Sequence, residues 1–156
     1  GVVLRSGASV TTEDGGISLQ GTVRGGASYS AGVVLTGSTV EQTGTAASGA
    51  IDIDGTGGGS GVLNSGVSFD YASAVTAKGD TEVTIDGTGT TAGSGVGVHI
   101  DRGTAIGAET GDVTVTGAGG ATGRRCGRGM ARRQSRSIAG MSSRAANLKR
   151  MVQAVG

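Results

Sequence analysis

Four aspartates and one histidine are the residues of this 156-residue chain whose types and spacing could do chemistry. Asp54 and Asp86 lie 32 positions apart, and Asp70 and Asp101 lie 31 apart. If that interval is one structural repeat, each pair is stacked at about 5 Å. Carboxylates that close repel, share a proton or attract a cation, which makes the four acids a weak Ca²⁺ set. Paired acids are also the geometry of glycoside cleavage. The same positions read more simply as solvated outward places on strands, since the G-G-x-G-x-D repeat of calcium-binding β-rolls is absent. No Arg, Tyr or Trp platform for a sugar is predicted beside them.

His99 is the only histidine. A catalytic reading pairs it with Asp70 or Asp101, but sequence spacing supplies no nucleophile or metal cluster, so it reads as a solvated face residue. Cys126 is the only cysteine and cannot form an internal disulfide. Arg124 and Arg125 favour its thiolate, yet nothing else supports redox chemistry. Phosphate-loop and nucleophile-elbow motifs are missing, and the only lysines are Lys78 and Lys149. Lys78-Gly79-Asp80 matches an integrin-type tripeptide, a coincidence three residues long. No cofactor is expected.

What must position these residues is an internal repeat. Gly1-Val2-Val3-Leu4 recurs as Gly32-Val33-Val34-Leu35, Gly66-Val67-Ser68-Phe69 and Gly97-Val98-His99-Ile100, at intervals of 31, 34 and 31. A second station follows at Val10, Val40, Val75 and Ile106. The third is an alternating run: Ile17-Ser18-Leu19, Ile51-Asp52-Ile53, Val83-Thr84-Ile85 and Val113-Thr114-Val115. Gly21, Gly55, Gly87 and Gly117 each stand two residues beyond it. Apolar residues alternate with period two and are mostly β-branched, so each repeat predicts three short strands. Stacking identical stations gives inward columns such as Val2/Val33/Val67/Val98 and outward polar columns such as Gln20/Asp54/Asp86/Thr116. One repeat per coil of a parallel β-helix of about four coils satisfies all three stations. A β-sandwich is the alternative, but sandwiches do not usually keep one side-chain type at one station through four repeats.

The pattern G-V-x-L … S-T-V … D-I-D-G-T-G, seen in Gly32–Val40 and Ile51–Gly57, resembles repeats of large bacterial surface exoproteins. These are the filamentous-haemagglutinin-like adhesins and autotransporter passengers. The resemblance covers residues 1–123 and implies a right-handed parallel β-helix in a secreted protein whose role is adhesion. It also implies an extracellular or outer-membrane-associated location, with ligands on host or neighbouring cells as partners. Missing coils of a parent solenoid are implied as well. The family's secretion and translocation domains have no match here.

Composition agrees with a thin solenoid core. Glycine supplies 34 residues, with one Phe, two Tyr, no Trp and no Pro. That argues against an ordinary α/β or helical enzyme, and the lack of Pro and of a three-residue glycine period excludes collagen. The net charge of +1 hides a division. Residues 1–123 carry four basic and twelve acidic residues, a net −8, whereas residues 124–156 carry nine basic and no acidic residue. A fifth repeat is due near residue 128, but the chain reads Arg124, Arg125, Cys126, Gly127, Arg128, Gly129, Met130, Ala131, Arg132, Arg133. Three readings of this tail stay open. Its arginines form an anion- or nucleic-acid-binding arm, or a basic helix over roughly 143–154 caps the solenoid, or the segment is the product of a shifted reading frame.

The sequence thus predicts an all-β repeat region, residues 1–123, and a basic tail, residues 124–156, helical or disordered. The expected role is structural and adhesive, without catalysis and without a small-molecule substrate. A polysaccharide-acting β-helix enzyme and nucleic-acid binding by the tail are the alternatives. The chain shows no signal peptide, and its start without Met leads us to expect a fragment. Four coils span only about 19 Å at the strand spacing of a sheet, and are expected to be marginal alone.

Overall fold

A computed structural model of the chain describes residues 1–25, 28–45, 49–91 and 94–119. These residues form the expected parallel β-solenoid. The first coil comprises β1 (Val2–Arg5), β2 (Ser9–Thr12) and β3 (Ile17–Thr22). The second comprises β4 (Ala31–Thr36), β5 (Thr39–Gln42) and β6 (Ala50–Thr56). The third holds β7 (Ser65–Asp70), β8 (Ala74–Ala77) and β9 (Glu82–Thr88), and the fourth β10 (Val96–Ile100), β11 (Ala105–Ala108) and β12 (Val113–Ala118). Three full turns carry the chain from β1 to β10. Corresponding strands stack into three sheets, β1-β4-β7-β10, β2-β5-β8-β11 and β3-β6-β9-β12.

Register follows the repeat without slippage. Val33 pairs with Val2 and Val67, Val40 with Val10 and Val75, and Ile51 with Ile17 and Val83. A one-residue slip would turn each inward column to solvent, so the alternation of side chains holds the pairing in place. The two middle coils bury Val33, Leu35, Val40, Ile51 and Ile53, then Val67, Phe69, Val75, Val83 and Ile85. The outer coils supply half-buried flanks, Val2, Leu4, Val10 and Leu19 at one end and Val98, Ile106, Val113 and Val115 at the other.

The first and third sheets press together at a seam of glycines. A Cβ on Gly66 would stand 2.5 Å from the Gly55 carbonyl oxygen and 2.6 Å from the Gly87 carbonyl carbon, and it would also strike the Thr88 amide. All three are backbone, which cannot move aside. Gly55 meets the Gly66 backbone in the same way. This contact is why glycine recurs at both stations.

Corners are closed by buried polar side chains that the repeat pattern does not announce. Asn64, fully buried, accepts the Ser30 amide at 3.0 Å and donates to the Gly58 carbonyl at 2.8 Å. Gln42, equally buried, donates to the Glu13 and Gly44 carbonyls and accepts the Lys78 amide at 3.0 Å. Each ties one coil to the next where chain direction changes. Asn64→Ala removes both of these bonds from the corner, which costs about 2 kcal/mol. Urea unfolding should show that loss as a lower midpoint at unchanged slope; an unmoved midpoint would refute the bridging role of Asn64.

Candidate functional site

The outward positions of the first sheet carry Arg5, Val34, Thr36, Ser68, Asp70 and His99. Register brings them together: Ser68 pairs with Val34 on one side and His99 on the other, and Asp70 pairs with Thr36. Above this floor stand two large side chains from the corners that precede β4 and β7. Tyr29 and Leu63 adopt φ of 66° and 57°, a left-handed conformation uncommon for such residues. The corners are stacked by the Tyr29 amide donating to the Val62 carbonyl and the Leu63 amide to the Ser94 carbonyl, each at 3.0 Å. Floor and rim enclose an open groove of about 490 Å³, within the range of about 300–1,000 Å³ common for small-ligand sites. Tyr29 is 76 % exposed.

At the groove's centre the Ser68 hydroxyl donates to the Asp70 carboxylate, 3.3 Å from each oxygen. His99 Nδ1 lies 3.4 Å from Ser68 Oγ and 3.5 Å from Asp70 Oδ1. Sequence spacing leaves His99 without a hydroxyl partner, so the structure corrects that expectation. It corrects a second one too, because Tyr29 and Arg5 stand in the same groove as Asp70. The hydroxyl does not make a catalytic triad, however. A triad relays a proton from serine to one imidazole nitrogen while the acid holds the other. Here serine and acid both address Nδ1. The cluster can hold hydroxyl groups in place; it has no relay.

The other candidate acids fall where the repeat puts them. Asp54 pairs with Asp86 across β6 and β9, both exposed on the outer face of the third sheet. Asp101, exposed, follows β10, and its amide donates to the Phe69 carbonyl at 2.9 Å, which sets it beside Asp70. Both pairs therefore form. Among the described residues no three acid, histidine or cysteine side chains converge on a point that could hold a metal ion. Calcium takes six to eight oxygens, so two neighbouring carboxylates on a flat face supply a fraction of a site. Lys78-Gly79-Asp80 occupies the corner between β8 and β9, where the Gly79 amide donates to Glu109 Oε2 at 3.2 Å. The tail residues Arg124, Arg125, Cys126, Arg128, Arg132 and Arg133, and the helix expected over 143–154, lie outside the described residues.

Ser68 was within reach of the sequence, since it stands one repeat before His99 and two residues before Asp70. Tyr29 was not. Tyr29 and Leu63 hold the same place in corners of equal length, three residues before Gly32 and Gly66, but outside the strand alternation nothing in the sequence says to which side a corner side chain turns.

Fold and register together define the class: a parallel β-solenoid with one sheet forming the floor of a groove. Comparison with protein-family models, with curated proteins and with solved structures finds no match for this chain.

Proposed function

We propose that this chain is a structural and adhesive repeat region of a secreted bacterial surface protein, and that it catalyses no reaction. The observation that carries the reading is the single register kept through four coils. It makes a regular stack whose sides carry outward polar ladders such as Ser18/Asp52/Thr84/Thr114. Such a body transmits position and offers lateral surface, and it needs no moving part to do so. The resemblance of residues 1–123 to adhesin repeats supports the same role, with a location outside the cell. The paired acids are better suited to solvating a face than to cleaving a sugar chain, because Asp54 and Asp86 lie outside the groove and Asp70 lines it without its neighbour Asp101.

Beads coated with the full chain test this directly on monolayers of epithelial cells and on bacterial lawns. Saturable attachment, competed away by soluble chain, is the expected result. Attachment no greater than that of beads carrying the urea-unfolded chain would overturn the adhesive role. Release of reducing sugar from a polysaccharide panel would overturn the absence of catalysis.

A further inference from the structure

We propose that the chain binds a second copy of itself end to end, with β10, β11 and β12 of one copy stacking on β1, β2 and β3 of the next. This goes beyond the adhesive reading above and does not rest on it.

The two ends of the described solenoid are open in matching ways. Among the described residues β1, β2 and β3 pair on one side only, as do β10, β11 and β12, so each end presents three strand edges. Such an edge is a template for another strand. The inward columns are open there as well. Val98 and Val113 at one end, and Val2 and Val10 at the other, are half-buried, whereas the same columns are fully buried in the middle coils. Ile100 is 37 % exposed where Phe69, one coil back, is buried. One further step of the register sets Val98 against Val2 of the second copy, Ile100 against Leu4, and Val113 against Ile17. Burial of that apolar surface drives the contact.

Backbone polarity fits the same register. Alternate residues of a parallel strand address opposite neighbours. The Asp101 amide donates to the Phe69 carbonyl, so His99 also faces β7, while Val98 and Ile100 face the empty side. The Ser6 amide donates to the Thr36 carbonyl, so Leu4 faces β4, while Val3 and Arg5 face the empty side. In the stack the Val98 and Ile100 carbonyls accept the Val3 and Arg5 amides of the second copy, just as Phe69 accepts Asp101. The glycine seam leaves room for this partner. A Cβ on Gly21, Gly55 or Gly87 would strike the carbonyl oxygen of Gly32, Gly66 or Gly97 in the next coil. At Gly117 the nearest atom is instead the Val98 amide nitrogen of its own coil, 3.2 Å away. Gly1 of a second copy, level with Gly32 in its own column, takes the place of the next glycine. Charge agrees as well. Arg5 stands at the level of Thr36, Asp70 and Asp101, so Arg5 of one copy meets Asp101 of the other. A foreign strand extends one sheet, whereas a second copy extends all three at once.

The test is sedimentation velocity of the full chain from about 1 μM to about 1 mM. The average mass is expected to rise with concentration beyond that of a dimer, because a head-to-tail contact always leaves one end free. Val3→Pro removes an amide that faces the empty edge, so it should weaken association about tenfold or more and leave the dilute chain folded. Arg5→Asp and Asp101→Arg alter exposed side chains. Each should weaken association about threefold, and the two together should restore it. A retained far-UV spectrum and unfolding midpoint show that each variant is folded. A monomer throughout, a mass that levels off at two copies, or association untouched by Val3→Pro overturns the end-to-end contact. If the paired charge reversal does not restore association, the register that sets Arg5 against Asp101 is overturned.

Discussion

Gly66→Ala is expected to destabilise the solenoid by about 3 kcal/mol or more, because the added methyl has nowhere to go. Its Cβ would overlap backbone atoms of Thr88, Gly55 and Gly87, and those atoms belong to the ladder that pairs β6 with β9. Relief requires the first and third sheets to separate, which opens the core on both sides of Phe69. Helix propensity is irrelevant here, and the entropy of the unfolded state favours alanine, so the loss comes from the overlap alone. Gly107→Ala is the matched control, since a Cβ there meets nothing within 4 Å. Thermal and urea unfolding of the two variants should differ sharply, with Gly107→Ala within about 0.5 kcal/mol of the parent. Equal stability of the two variants would mean that the seam is not closely packed.

Phe69→Ala is expected to cost about 3–5 kcal/mol. Phe69 is the only phenylalanine in the chain and is fully buried, stacked between Leu35 and Ile100 in the inward column of the first sheet. A solenoid core is only one side chain deep along each column, so neighbours cannot collapse into the gap without leaving their own coils. Phe69→Leu puts back the residue the same column carries at Leu4 and Leu35, and should cost about 1.5 kcal/mol. Unfolding midpoints of the three proteins are therefore expected in the order parent, Leu, Ala. A Phe69→Ala protein as stable as the Leu variant would show that the column relaxes freely. In a core this thin, loss of either residue would leave the middle coils short of the apolar contact that holds them.

The fold was legible because a solenoid repeats its physics. Val33, Val67 and Val98 recur with Val2 because each coil must present the same side chain to the same column. Intervals of 31, 34 and 31 then convert to strand pairs without any three-dimensional information. The glycine stations were equally visible as Gly55 and Gly66 and their counterparts. Their reason was not, because it lies in the approach of two sheets rather than in either strand. Asn64 and Gln42 were silent for a different cause. Asn64 shares its corner position with Ser30, and Gln42 ends β5 in a column with Thr12, Ala77 and Ala108, so neither amide recurs from coil to coil.

The candidate site divides along the same line. Asp54 beside Asp86, and Asp70 beside Asp101, follow from spacing alone. Ser68 against His99 follows from the same register, and the structure adds the distances that place both partners on Nδ1 and remove the relay. Tyr29 reaches the groove from a corner with a left-handed backbone, which no periodicity encodes. By itself, then, the sequence determined which residues stack, because hydrogen-bonded strands of constant period leave one register that buries every aliphatic column. Only the tertiary structure decided what the corners do. Corner geometry depends on how the sheets meet, and it is there that Asn64 and Gln42 close the coil and Tyr29 turns a flat polar sheet into a groove.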